Sequence, residues 1–441
     1  MASTLSPLEA HRARLANNET GPRAIMEECL RRSNAGPTHN TYLAQDARCA
    51  LDMATNLENK FARARRRPPL YGVPVSIKDC FDVAGTVTSC GSRFYASTGR
   101  PAPVDSAIVR QLHRAGAMLT GKTHLHPIAY GITGENPDYG DCAQPTPQPA
   151  DSLLLTGGSS SGAAASVQEG SALVAIGTDT GGSVRVPAAL CGLAGYRASL
   201  GIGPWQGGHH LAPTFDTIGM LFRDLRDGPA FAQAIFSIAL APAPSAPVRI
   251  GFADQEFLQD CSAEVLAAFE AWKTALRNHG AELAPLDTSE WAGAVEIFAG
   301  IQAHEAAEIH RGNFAHFEAS IAERLAWGAS LTDSVVQDLR QQHDIFRRRV
   351  HGLFSRFQFL IAPCSPMAAL PLGADHSRTR GAILRYTAPI SLAGLPVVTL
   401  PAGPVGAPYG AGVQLIGAPN TDASLLAYAA SLARFLTAPR Q

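Results

Sequence analysis

Between residues 21 and 34, Ile25, Met26, Cys29 and Leu30 recur at helical spacing behind a possible N-cap at Thr20, which predicts an amphipathic opening helix. A second helical stretch over 44–66 ends in the basic run Arg65 to Arg67, ahead of Pro68 and Pro69. A solvated helix end complementing the dipole accounts for that run. The period then shortens. A strand-like 73–77, a helix over 106–115, a strand over 117–120 and another helix after His124 alternate along the chain. This alternation predicts an α/β fold with a large mixed, twisted sheet covered by helices on both faces.

Beyond these elements, glycines cluster within 153–198 on either side of a small-residue helix over 163–170. The apolar stretch 229–240 reads as a buried helix, because it falls short of the roughly 20 residues a membrane span needs and is closed by Pro242 and Pro244. The Ala/Pro run 241–247 reads as a surface crossover, followed by a strand over 248–252, a long helical zone over 289–357, and strands over 359–362 and 397–400. The expected organisation is a single domain over 1–441: a helical segment 1–67, a catalytic core 68–241, and a C-terminal half 248–441 completing the same sheet.

Composition narrows the function classes. Thirty-six Lys and Arg against 37 Asp and Glu leave a net charge of −1, so no global field draws the protein to nucleic acid or an anionic membrane. A small molecule is the expected partner, with the protein a monomer or homodimer. The eight cysteines form no C-x-x-C pair and no framework, which argues against metal and disulfides and fits reduced thiols in the cytoplasm. The first 20 residues lack the apolar region of a signal peptide. No cofactor is expected.

Three segments carry candidate chemistry. Gly-Thr-Asp-Thr-Gly-Gly-Ser-Val-Arg-Val-Pro at 177–187 places adjacent glycines before Ser183, where successive backbone N–H groups can hold a developing oxyanion. Thr-Gly-Gly-Ser-Ser-Ser-Gly at 156–162 is too small-residued for core and too regular for a linker. Gly-Val-Pro-Val-Ser-Ile-Lys-Asp at 72–79 sets Lys78 at the end of an apolar strand, where burial favours the neutral amine that a base requires.

Together these segments resemble the amidase signature family, whose members use a serine, a second serine on a cis peptide, and a lysine. The resemblance implies Ser183 as nucleophile, Ser159 as relay and Lys78 as base; the serine spacing, 183 minus 159 or 24, matches the family register. It implies an oxyanion hole from the amides of Thr180, Gly181, Gly182 and Ser183, with Ser160, Thr178, Asp179 and Arg185 in support. Further similar segments lie at 105–110, 121–123, 130–137, 215–219, 385–396 and 412–417, so the likeness spans nearly the whole chain. His-Leu-His-Pro at 124–127 departs from the asparagine and acidic residue that family members often carry there.

The acyl pocket implied by the resemblance involves Tyr130, Gly131, Ile132, Cys191, Phe298 and Ile301. Its apolar character suggests a small neutral amide, an aryl amide or anilide, or a carbamate (urethane), with esters also open to the same chemistry. A Ser-His-Asp arrangement drawing on His209, His210 and Asp216 is disfavoured, because Ser183 lacks a Gly-x-Ser-x-Gly elbow. Nucleotide binding is disfavoured for want of a Walker lysine or a dinucleotide fingerprint. A glutamine-hydrolysing subunit of an amidotransferase complex would use the same three residues and is the main alternative.

Overall fold

The computed structural model describes residues 5–34, 39–145, 153–245, 247–402 and 410–436. Ala246 of the expected crossover, residues 1–4 of the N-terminal segment and 437–441 of the C-terminal half lie outside them. Eleven strands form one sheet. They are β1 (Tyr42–Ala44), β2 (Pro74–Lys78), β3 (Met118–Thr123), β4 (Val174–Asp179), β5 (Ala194–Arg197), β6 (Thr217–Phe222), β7 (Val248–Ala253), β8 (Ala281–Leu286), β9 (Phe359–Pro363), β10 (Val397–Leu400) and β11 (Val413–Gly417). Their order is β1-β3-β2-β4-β6-β5-β10-β11-β9-β7-β8.

The sheet is mixed: β3, β2 and β4 run parallel, as do β9, β7 and β8, and the strands between β4 and β9 pair antiparallel. Every residue of β2, β4, β5, β6, β9, β10 and β11 is buried. Because successive side chains point to opposite faces, that uniform burial means both faces are covered. The ends of the sheet differ: β1 and β8 are partly exposed, as edge strands are.

Several boundaries differ from the sequence reading for local reasons. The first long helix runs Pro22–Ser33 with Gly21, not Thr20, as N-cap. Pro22 has no N–H to satisfy and its fixed φ suits the first helical position. The 44–66 stretch divides into β1 and the helix Ala47–Phe61, capped where Asp46 accepts from the Cys49 N–H. After His124 there is only a short turn, Pro127–Ala129, in which Ile128 takes φ 48°. The zone 289–357 is three main helices, Ala294–Ile309, Ala319–Ser330 and Asp333–Gly352. The apolar helix near 229–240 is Gly228–Phe236, ended by Ser237 at φ 59°. No described helix is long and apolar enough to cross a membrane.

Candidate active site

β2 delivers Lys78 to the middle of the molecule, where it is fully buried. Its Nζ lies 2.7 Å from Ser159 Oγ and 2.8 Å from Thr178 Oγ1. Burial lowers the Lys78 pKa, with Cys80, Asp216 and Asp179 opposing that shift. Ser159 sits in the loop before the helix Ser161–Glu169, and the Gly158–Ser159 peptide is cis. Ser160 donates to the Thr178 carbonyl at 3.2 Å, and its N–H reaches the Ser183 carbonyl at 3.2 Å. These bonds tie the two serine loops together.

β4 ends at Asp179, and the chain turns through 180–184 into the short helix Arg185–Leu190. Asp179 organises this turn. Its carboxylate accepts from the N–H groups of Gly182 (2.9 Å), Val184 (3.1 Å) and Arg185 (3.3 Å), and from the guanidinium groups of Arg185 and Arg197 (both 2.9 Å). Burial alone would raise its pKa, but the two arginines and the hydrogen bonds hold it below the ordinary carboxylate range. The buried Arg185 continues to Gln414 Oε1 (2.6 Å) and Ser391 Oγ (2.7 Å), so the C-terminal strands brace a loop more than 200 positions earlier.

The two glycines of the turn are required by close approach. A Cβ on Gly181 would lie 2.9 Å from Phe298 Cζ and 3.0 Å from Leu384 Cδ2. Gly182 takes φ +118° against the Thr387 side chain, whose hydroxyl donates to the Gly181 carbonyl at 2.6 Å. Ser183 is only 4% exposed. It borders a small cavity, open to solvent, together with Thr180, Gly181, Tyr130, Gly131 and Ile132. Ala129, Gln302, Arg380 and Leu384 complete the lining.

The profile of the amidase family matches residues 24–426. The chain belongs to the amidase signature family. It is 32% identical to the 1-carboxybiuret hydrolase subunit of Pseudomonas sp. (strain ADP), covering 93% of this chain and 94% of the relative. It is 31% identical to 2-amino-5-chloromuconic acid deaminase of Comamonas testosteroni, covering 96% and 94%. A crystal structure of an amidase superposes with a TM-score of 0.88 at 30% identity, covering 98% of this chain and all of that one. Membership makes the chain a hydrolase of carbon-nitrogen bonds.

Within this amidase signature enzyme, Lys78 meets Ser159 and Thr178, and Ser160 joins them at the Thr178 carbonyl. Thr180, Gly181 and Ser183 border the cavity, but Gly182 does not contribute an amide to it, because its N–H is held by Asp179. Tyr130, Gly131 and Ile132 line the cavity, whereas Cys191, Phe298 and Ile301 do not. Cys191 packs on the far side among Ala163, Val167 and Ala188, with Sγ 3.5 Å from the Thr156 carbonyl. Phe298 backs the Gly181 turn and meets the Phe215 ring at 4.8 Å, and Ile301 belongs to the main core. Each is an apolar side chain spent on packing.

Four contributions escaped the sequence reading. Arg197 carries half of the positive charge on Asp179, yet lies in a strand with no motif around it. Gln302, buried in the helix Ala294–Ile309, shows in the sequence only as a polar residue between Ile301 and Ala303. Arg380 had no such signal. With these two on the wall, the expectation of an apolar cavity does not hold. Lastly, the unusual His124 and His126 fill the loop: His124 bonds Ser161 Oγ (3.2 Å) and the Gly140 carbonyl (2.8 Å), and burial holds its pKa down to about 4. The His126 ring occupies the place where Gly131 would carry a Cβ, 2.0 Å from Nε2.

The rival His-Asp pair also resolves. His210 Nδ1 is 2.9 Å from Asp216 Oδ2, but Asp216 also accepts from Thr180 Oγ1 at 2.6 Å and from the N–H groups of Leu211 (2.9 Å) and Ala212 (3.1 Å), which makes it a brace of this loop. His209 faces Asp82 at 3.3 Å.

Proposed function

We propose that Ser183 attacks the carbonyl carbon of a small amide or carbamate, and that Ser159 and Lys78 relay its proton. The observation that carries the proposal is the 2.7 Å contact between the buried Lys78 amine and Ser159, beside a cavity bordered by Ser183. Neutral Lys78 takes the Ser159 proton while Ser159 takes the Ser183 proton, so the attacking oxygen is activated without histidine. The amides of Thr180, Gly181 and Ser183 stabilise the tetrahedral oxyanion. As the C–N bond breaks, the proton returns through Ser159 to the leaving nitrogen, which departs poorly unless protonated. Water then attacks the acyl-enzyme by the same relay in reverse order and frees Ser183.

The relatives cut carbon-nitrogen bonds of dissimilar compounds by name, a hydrolase in one case and a deaminase in the other, so kinship supports the bond and not the substrate. The reading includes action as a single domain, monomeric or homodimeric, free of nucleic acid and membrane, in the cytoplasm; that no described helix is long and apolar enough to cross a membrane supports the part about membranes. Ser183→Ala, Ser159→Ala and Lys78→Ala should each abolish hydrolysis across a panel of aliphatic amides, anilides, carbamates and esters. A fluorophosphonate should label Ser183. Turnover near wild type in any variant, or a label on another residue, overturns the relay; glutamine turnover alone moves the assignment to the amidotransferase subunit.

A further inference from the structure

The cavity beside Ser183 ends in a positive charge that, among the described residues, no carboxylate answers. Arg380, in the first turn of the helix Thr379–Leu392, lines the cavity and donates from Nη2 to Gln302 Oε1 at 2.7 Å. Among the described residues it forms no ion pair. Arg324, from the helix Ala319–Ser330, stands close by: its guanidinium carbon lies 4.7 Å from the centre of the Tyr130 ring, and that of Arg380 lies 5.5 Å away. Tyr130 is therefore flanked by two cations, a stacking that guanidinium groups tolerate and ammonium groups do less well.

The charge balance around the pair is unequal. Arg324 donates to the Tyr130 carbonyl at 2.8 Å and feels Glu318 and Glu323, although its Nε is buried without an acceptor. Glu318 is itself shared with His126, at 3.6 Å. Around Arg380 the charged or titratable neighbours of consequence among the described residues are Arg324, which repels it, and Tyr130; burial and then Arg324 push its pKa down to about 10. It stays protonated at neutral pH all the same. Placing two guanidinium groups together at a half-buried wall is unfavourable unless an anion completes the site.

We propose that Arg380, oriented by Gln302 and reinforced by Arg324 across Tyr130, forms a carboxylate subsite, and that this enzyme's substrates are small amides or carbamates bearing a carboxylate a few bonds from the scissile C–N bond. The planar fork of a guanidinium matches the two oxygens of a carboxylate, and Tyr130, Ile132 and Leu384 supply the apolar wall for the short span between. The proposal rests on Ser183 as the reacting residue. It replaces the neutral acyl group that an apolar pocket implied.

The experiment separates binding from turnover. Ser183→Ala protein, unable to form an acyl-enzyme, is titrated with malonamate, succinamate and glutaramate and with the uncharged malonamide, succinamide and glutaramide. At least one acid should bind on the order of ten- to a hundredfold more tightly than its diamide, the range of a charge-assisted paired hydrogen bond. Adding Arg380→Gln should erase that preference and leave diamide binding within about twofold, with Arg380→Lys between the two because it keeps the charge and loses the fork. Equal binding of acids and diamides, or an equal loss of both in Arg380→Gln, overturns the subsite. In the wild-type enzyme, turnover of diamides at the rate of the acids would overturn it while leaving the hydrolase reading intact. Acid preference in binding with no turnover and no fluorophosphonate label would sustain the subsite and sink the hydrolase reading.

Discussion

Replacing Asp179 by Asn changes one oxygen into an amide nitrogen at the best-connected carboxylate of the site. The wild-type side chain receives three backbone N–H bonds and three guanidinium N–H bonds, the latter from Arg185 Nε, Arg185 Nη2 and Arg197 Nη1. Asparagine presents a donor to at least one of these donors and leaves both fully buried arginines without a counter-charge. Breaking one partner of a buried ion pair costs about 3–5 kcal/mol, and here two cations share the loss, so a destabilisation at the upper end of that range is expected. The assay is urea unfolding of both proteins, read as a fall in midpoint at unchanged slope. Because the folded carboxyl is held below the 3.8 of an ordinary aspartate, its stabilisation is complete above about pH 5 and is lost as pH falls through the folded value. The gap between wild type and variant should therefore stay constant from about pH 5 to 8 and narrow in stronger acid. A difference under about 1 kcal/mol at pH 7, or one that widens in acid, refutes this account of the loop.

Three further outcomes are expected. Gly181→Ala should lower kcat by about a hundredfold, as loss of an oxyanion donor does, since its Cβ would meet Phe298 and Leu384 and displace the turn; unchanged kcat in steady-state assays would show that the turn yields freely. His210→Ala should retain turnover within about tenfold, because His210 stacks on Trp205 and pairs with Asp216, and through it touches Thr180; a loss as deep as that of Ser183→Ala would restore a Ser-His-Asp reading. The rate of fluorophosphonate labelling should rise with pH along a limb below the 10.5 of an ordinary lysine, because burial lowers the Lys78 pKa and only the neutral amine accepts a proton; a limb at or above 10.5 would separate Lys78 from nucleophile activation.

Much of the site was legible because its chemistry is local. Two glycines before Ser183, the serine run at 156–162 and a lysine ending an apolar strand are short patterns whose backbone demands show in the residue types themselves. Alternation of strand and helix periods likewise revealed an α/β sheet. By contrast, β4, β5 and β6 are uniformly buried, so they carry no alternation to read, and their antiparallel placement at the centre of the sheet came only with the structure.

What the sequence by itself determined is the set of residues proposed as the reaction centre, since a dense motif encodes groups that lie in two neighbouring loops and one strand end. What tertiary structure decided is which distant side chains reach that centre. Arg197, Thr387, Ser391 and Gln414 converge on the nucleophile turn from strands and a helix later in the chain. Arg380 and Gln302 arrive at the cavity, and Arg324 at Tyr130 on its wall, from three separate helices, while Cys191, Phe298 and Ile301 are drawn into packing. The reason is physical: a residue's type sets what it can donate, accept or bury, but the sheet order and helix packing set what it meets, and substrate recognition is made of those meetings.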